Sequence, residues 1–382
     1  MKVSVLGFGT VGKGVYDLLA SAPGFSLGKV LDLPQFIDAD FKTSDINEIV
    51  NDESVDTVVE AIGGIHPAYE YACAVLAAGK NFVTSNKALV ADKGPELSVL
   101  AREHGCGFLF SAACGGAIPY LHNIRCAVNS GDTILSLSGI LNGTCNYILD
   151  RMQSEGLSYG AALAEAQKLG FAEADPTADV SGLDTKRKIL LACACAYNML
   201  PSEGTLCEGI ESFSADDAAK INSLGYVCRL MAGASLTDGV LSAYVEPVIC
   251  RSDSPASTVK LNGNMAAYVG AASGQITLFG QGAGRYPTAS AVMRDLVSLT
   301  EGMTSMIDSD CTRVAAVNDE IMHKYYIRIP KQYADGLFSE VISDGEEVCG
   351  FSNKLSVALV HKLAAEIRAA GAGMFFAAVE KE

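Results

Sequence analysis

The stretch "KVSVLGFGTVGKGV", residues 2–15, constrains the fold of this 382-residue chain more than any other. An apolar β-type run, Val3 to Leu6, leads at once into Gly7, Gly9 and Gly12 in the spacing GxGxxG, and a helical pattern follows. Glycines at these places permit a tight turn, close approach of backbone to a pyrophosphate, and packing of helix against strand, while the free N–H groups of the helix face the phosphates. Alone the pattern matches many unrelated chains. Between a strand and a helix it specifies a dinucleotide-binding turn built from Gly7, Phe8, Gly9, Thr10, Val11 and Gly12. A second strand-like stretch, "FSLGKVLD", ends at Asp32. That residue lies about 20 positions beyond the last motif glycine, where an acidic side chain holds the adenine ribose hydroxyls. Leu33, Pro34, Gln35 and Phe36 supply no cation for a 2′-phosphate, so NAD is expected over NADP, with Lys29 and Lys42 the basic residues within reach.

Strand signals "DTVVEAI", "NFVTS" and "GFLFSAA" alternate with helical patterns at 68–78 and 92–104. Such alternation specifies a doubly wound parallel sheet with ligands beyond the carboxyl ends of its strands. Lys87, in "VTSNKALV", follows one of those ends, where a partly desolvated lysine can exchange a proton near neutral pH. After "SAACGGAIP" the alternation stops. "DTILSLSGILNGTCNYILDRM" reads as a strand, a turn at Asn142 and Gly143, and a helix capped by Thr144 or a neighbour. Further helices are expected over "SYGAALAEAQKLG" and from about 182 through "ILLACACAYNML".

Composition narrows the partners. A formal charge of −16 excludes a nucleic-acid or anionic-membrane surface, which requires a clustered positive field, and leaves small molecules. Twelve cysteines without any CxxC pair read as small core residues of a reducing cytoplasm. No apolar run reaches the roughly 20 residues that span a bilayer, and Met1 leads straight into the first strand, so a soluble, unexported protein is expected.

Between Phe171 and Lys188, "FAEADPTADVSGLDTKRK" gathers one glutamate, three aspartates and three basic residues. Acidic residues at a helix entrance complement its dipole without any substrate, and Asp184 with Lys188 has the i,i+4 spacing of a plain surface ion pair. The longer string "AQKLGFAEADPTADVSGLDTKRK", however, resembles the signature of the homoserine dehydrogenases from Ala166 to Lys188. "TSNKAL", "CGGAIP", "GILNGTCNYIL" and "GQGAGRYPTASAV" match other blocks of that family in order, over about residues 1–315.

The resemblance implies reversible, NAD- or NADP-dependent hydride transfer between homoserine and aspartate 4-semialdehyde in threonine and methionine biosynthesis. It implies Glu173 at the substrate amine, Asp179 and Asp184 around the amine and the reacting oxygen, and Gly143 and Thr144 lining the site. Lys188 and Lys87 become the proton-handling pair, with Asp184 beside them, and the segment from Gly282 through Gly284 to Thr288 closes over the cofactor. The family also holds a monovalent cation, sodium, on backbone carbonyls, here those of Cys114, Gly116 and Ile118, together with a glutamate where this chain has Ser111. Phe171 likewise replaces a tyrosine.

The expected fold is α/β: a Rossmann-type doubly wound parallel sheet, an α+β substrate and dimerisation domain, and a short C-terminal α+β tail resembling a degenerate ACT domain. Residues 1–120 and 281–315 are read as the dinucleotide-binding unit, 121–280 as the substrate unit, and 316–382 as an extension that could sense an amino acid. A homodimer or higher homo-oligomer is expected, with "LSLSGIL" and "VLSAYVEPVIC" in a shared intersubunit sheet. Two other readings are a semialdehyde dehydrogenase with Cys114 as nucleophile, activated by His122 or His104, and a dinucleotide sensor without catalysis.

Overall fold

In the computed structural model, which describes residues 1–36, 38–202 and 204–380, the first 110 residues lay down six parallel strands. Their order across the sheet is Lys42–Thr43, Ser26–Leu31, Lys2–Leu6, Thr57–Glu60, Asn81–Thr84 and Phe108–Leu109. This is the 3-2-1-4-5-6 order of a dinucleotide-binding sheet, with its switch point between the first and fourth strands. Val3, Val5, Val58, Val59, Phe82 and Val83 are fully buried, because helices cover both faces and leave no polar side to the strands. The glycine turn sits at the switch point. Gly7 adopts φ +92°, and a Cβ on Gly12 would run into the Gly7 carbonyl.

The chain returns to this unit late. Helix Arg285–Thr300 packs against helix Thr10–Leu19, and the crossing is so close that a Cβ on Gly14 would lie 2.9 Å from the Arg285 carbonyl oxygen and 3.1 Å from Ala289 Cβ. Asp17 fixes the same crossing through Arg285 at 2.5 Å.

Between those two passages the chain builds a second, larger sheet. Its order is Gly274–Gln281, Gly263–Gly270, Ile134–Ile140, Tyr226–Thr237, Val240–Arg251, Phe375–Val379, Met322–Pro330, Glu347–Ser356 and Phe338–Asp344. Helix Leu183–Tyr197 lies on this sheet with its apolar "ILLACACA" run buried. It stops at Tyr197, and Met199–Pro201 continues as a strand, earlier than the apolar pattern suggests, because Asn198 takes a left-handed conformation, φ 54°.

One expectation changes here. Ile134–Ile140 and Val240–Arg251 are interior strands, each paired on both sides within the chain, so neither is a free edge for a partner's strand. The C-terminal residues form the expected α+β tail, in which Phe375–Val379 pairs in parallel with Val240–Arg251 and carries the sheet onward. Within the tail the strands run in the spatial order fourth, first, third, second, with helix Val357–Ala369 before the last. A single 3-10 turn, Lys331–Tyr333, stands where an ACT domain has its first helix.

Gly14→Ala tests the helix crossing. Overpacking a tight contact costs about 1–3 kcal/mol, so the urea midpoint should fall with an unchanged m-value, and dinucleotide affinity should fall with it. A wild-type midpoint would show that the crossing tolerates a methyl group.

Candidate active site

A cleft of about 720 Å³ opens between the parallel sheet and the second sheet. Four segments meet in it, and each is aimed by a local device. Asn86 caps helix Lys87–Glu103 through its side chain, accepting from Leu89 N at 3.1 Å, and so places Lys87 on the first turn at the cleft. Sequence periodicity begins this helix five residues later, since the first turn carries no apolar stripe.

Asn142, rather than Thr144, caps helix Gly143–Glu155, accepting from Cys145 N at 2.8 Å. Its amide nitrogen faces the other way and donates to Asp179 Oδ1 at 2.7 Å and Asp184 Oδ2 at 2.8 Å. Thr144 donates to the Phe171 carbonyl at 2.6 Å and so ties this helix to the acidic segment. A Cβ on Gly143 would lie 2.7 Å from the Asn262 carbonyl oxygen, which is why the turn needs glycine.

The charges converge on Asp184. Lys188 Nζ is 2.7 Å from one carboxylate oxygen and Lys87 Nζ 3.2 Å from the other. Lys188 also donates to the Leu141 carbonyl at 2.5 Å and is only 7% exposed. The i,i+4 pair is therefore a buried one and no solvated surface contact. Burial alone would raise the Asp184 pKa, yet the two lysines and the Asn142 amide hold it well below the carboxylate range. Burial would likewise lower Lys188, and the Asp184 charge reverses this and raises it. Asp179 is pushed up by burial, with the Asp184 charge adding to the rise. Glu173 stands exposed on the rim of the same cleft.

Val11, Gly116, Gly282 and Gly284 line the opposite wall. Gly116 is in the left-handed region, φ 52°, and a Cβ there would meet the Gly282 backbone at 2.6 Å. Gly7, Phe8, Gly9, Thr10 and Gly12 form the turn leading to this wall, at the N-terminus of helix Thr10–Leu19. Open space surrounds the place where a Gly9 Cβ would stand. Asp32 follows strand Ser26–Leu31, its carboxylate accepting from Leu33 N at 2.9 Å. The residues present thus suit a dinucleotide: bare backbone at the turn, free N–H groups for phosphate, and a carboxylate one strand over. Sequence reading misses Glu60, fully buried at the end of its strand, which accepts from Ile62 N at 2.6 Å, Gly63 N at 3.1 Å and Thr84 Oγ1 at 2.5 Å, and so shapes the loop beside the turn.

Cys114 does not suit a nucleophile. It is 1% exposed, burial pushes its thiol up to about 12, and His122 faces Cys126 at 3.5 Å instead. The expected site for a monovalent cation lacks its side-chain carboxylate, and one of its three carbonyls is already engaged. Ser111 gives its hydroxyl to Asp295, the Ile118 carbonyl accepts from Tyr120 N at 2.8 Å, and the Arg294 guanidinium reaches the Ala117 carbonyl at 3.0 Å. Asp295 itself, wholly buried, is pushed up to about 7 by that burial against the Ser111 hydrogen bonds. Among the described residues no group of three or more His, Cys, Asp or Glu side chains is placed to hold a metal ion.

A parallel sheet with a glycine turn at its switch point, facing a buried lysine–carboxylate cluster across a cleft, defines a nicotinamide-dinucleotide oxidoreductase. Comparison gives the family. Residues 119–297 match the model described as homoserine dehydrogenase, and residues 7–111 match that of the homoserine dehydrogenase NAD-binding domain. The homoserine dehydrogenase of Synechocystis sp. is 38% identical over 323 residues, 80% of this chain and 74% of its own. That of Bacillus subtilis is 33% identical over 365 residues, 90% of this chain and 84% of its own. The crystal structure of a homoserine dehydrogenase from Thiobacillus denitrificans superposes with a TM-score of 0.86 at 28% identity, covering 100% of this chain and 98% of that one. A hyperthermophilic archaeal homoserine dehydrogenase mutant, in complex with NADPH, covers 78% of this chain and 97% of its own, with a TM-score of 0.67 at 26% identity. The chain belongs to the homoserine dehydrogenase family, an NAD(P)-dependent oxidoreductase acting on a small molecule.

Asp184→Asn separates the two influences on Lys188. Without the carboxylate charge only burial remains, so the lysine pKa should drop. If Lys188 supplies the proton in aldehyde reduction, the alkaline limb of kcat/KM in that direction should move to lower pH by about one unit or more. An unmoved limb would mean that Lys188 does not set it.

Proposed function

We propose that the cleft carries the family reaction with Lys188 and Lys87 at the reacting oxygen and the acidic segment 173–184 on the substrate amine. A bound nicotinamide supplies or accepts the hydride at the aldehyde carbon. The chain's own residues answer the charge that follows. An oxyanion develops as the carbonyl is reduced, and a pre-placed ammonium stabilises it without reorganisation. Lys188, kept charged by Asp184, has that position. Lys87, on the cofactor side and more exposed, exchanges the proton with solvent. Glu173 and Asp179 offer carboxylates to the substrate ammonium, with Gly143 and Thr144 beside them on the helix start. The observation that carries this reading is the Lys87–Asp184–Lys188 cluster, two cations on one buried carboxylate at the floor of the cleft.

In this reading residues 1–120 with 281–315 hold the dinucleotide, with Asp32 on the ribose, 121–280 hold the substrate, and 316–382 brace the second sheet. No effector site is assigned to the extension. Lys42 is engaged by Asp38 at 2.7 Å and by the Phe36 carbonyl at 3.1 Å, and Lys29 pairs with Glu48. Neither lysine is left for a 2′-phosphate, which supports NAD. Exposed apolar side chains on the larger sheet, Leu135 at 46% and Phe279 at 53%, support a homodimer joined through that sheet. Twelve free thiols, most of them buried, suit a reducing cytoplasm.

Two experiments test these assignments. With homoserine as substrate, kcat/KM should be higher with NAD than with NADP, because a 2′-phosphate would face the Asp32 carboxylate unscreened. Equal or greater efficiency with NADP would overturn the preference. Lys188→Ala should lower kcat by roughly 100-fold or more with a modest change in KM, whereas Glu173→Gln should chiefly raise KM for homoserine, since an ammonium is bound alike in ground and transition states. Because Lys188 is buried, its removal should also lower the unfolding midpoint, which circular dichroism reads separately. Near-wild-type turnover in Lys188→Ala would return the charged segment to a helix entrance.

A further inference from the structure

The turn 111–118 forms one wall of the cleft: Ala112, Ala113, Gly115 and Gly116 line it, and Gly116 sits directly against Gly282 of the returning segment. Its Ala117 peptide is held at both ends. The N–H donates to the Gln281 carbonyl at 3.0 Å, and the carbonyl accepts from Arg294 Nη2 at 3.0 Å. Arg294 comes from helix Arg285–Thr300, one residue before Asp295, whose carboxylate accepts from the Ser111 N–H at 2.8 Å and from the Ser111 hydroxyl. That helix therefore grips the turn at both ends, with a carboxylate at Ser111 and a guanidinium at Ala117. Arg294 is half-buried, and its Nη1 is buried without a protein hydrogen-bond partner.

The Ile118 carbonyl is already engaged, Ser111 brings no carboxylate, and a guanidinium on the neighbouring Ala117 carbonyl adds repulsion toward a bound cation. We propose that Arg294 is the resident cation of the 111–118 turn, a positioning residue that holds the wall of the cofactor cleft through the Ala117 carbonyl and makes the enzyme independent of monovalent metal ions. A guanidinium suits the task because it stays charged at every working pH and donates in fixed directions. His122 lies within its field and is lowered by burial first and by the Arg294 charge second, which leaves the guanidinium without a competing cation on that side.

The test uses the full-length enzyme with homoserine and dinucleotide, chloride salts being exchanged at one ionic strength. Wild-type rates in sodium, potassium and choline chloride should agree within about 1.5-fold, the residual effect of screening alone. Saturable activation by sodium or potassium would overturn the proposal, whatever any variant does. Arg294→Ala should raise KM for the dinucleotide by about tenfold through loss of positioning, while KM for homoserine moves less. Low concentrations of guanidinium or potassium ion should restore much of the loss, and Arg294→Lys should keep most of the wild-type affinity. Unchanged constants in Arg294→Ala, or a loss that no cation relieves, would make the arginine ordinary packing. Ser111→Glu combined with Arg294→Ala should gain saturable activation by sodium or potassium, and failure to gain it would count against the exchange of guanidinium for ion.

Discussion

The Asp184 carboxylate is the interaction on which the site depends. A charge nearly out of contact with water is costly unless it is paired and hydrogen-bonded, and here two ammonium groups and one amide meet it. Each partner arrives from a different element: Lys87 from the dinucleotide-binding unit, Asn142 from the turn before helix Gly143–Glu155, and Lys188 from one turn further along the helix that bears Asp184 itself. The same carboxylate therefore sets the protonation of Lys188 and draws together the two sides of the cleft. Asn142 extends the arrangement, since a single side chain caps a helix with its oxygen and serves two aspartates with its nitrogen. Removing any one partner disturbs the others, because a buried donor or acceptor left alone carries its full desolvation cost.

Steric exclusion does the complementary work. Gly12 against Gly7, Gly14 against Arg285, and Gly116 against Gly282 bring backbone to backbone at distances no Cβ allows. These contacts weld the returning helix onto the first helix and the 111–118 turn onto the returning segment. The wall formed with the returning segment is consequently assembled from pieces more than 150 residues apart, held by shape where the Asp184 side of the cleft is held by charge. The C-terminal strands extend that rigidity: Tyr325 and His361 reach the fully buried Glu246 at 3.3 and 3.1 Å, which fastens the tail to the strand Val240–Arg251 beside helix Leu183–Tyr197.

Much of this was legible in the chain itself. Strand, GxGxxG and helix fixed the parallel sheet, because glycine spacing and a period change are local signals that survive any tertiary context. The family signature from Ala166 to Lys188 named the reaction, and the order of the five blocks supported it. Lys87, Asp184 and Lys188 were brought together only by the family resemblance, since nothing local relates residues about a hundred positions apart. What stayed hidden was long-range or ambiguous in type. Glu60 looked like one more charge at a strand end, and Asn142 like a turn residue. Arg294 sat unremarked in a helix pattern, and the tail's strands gave no sign that they would continue a sheet begun at residue 134.

The sequence by itself determined the fold class, the family and the list of residues from which a site could be made, because those depend on spacing and on residue chemistry along the chain. Tertiary structure decided how those residues behave. Burial turned a surface-type i,i+4 pair into a low-dielectric charge cluster, put the Cys114 thiol out of use, and set a guanidinium on the turn where an ion was expected. Protonation and ion binding follow the local dielectric and the nearest charge, and both exist only once distant segments have been packed against one another.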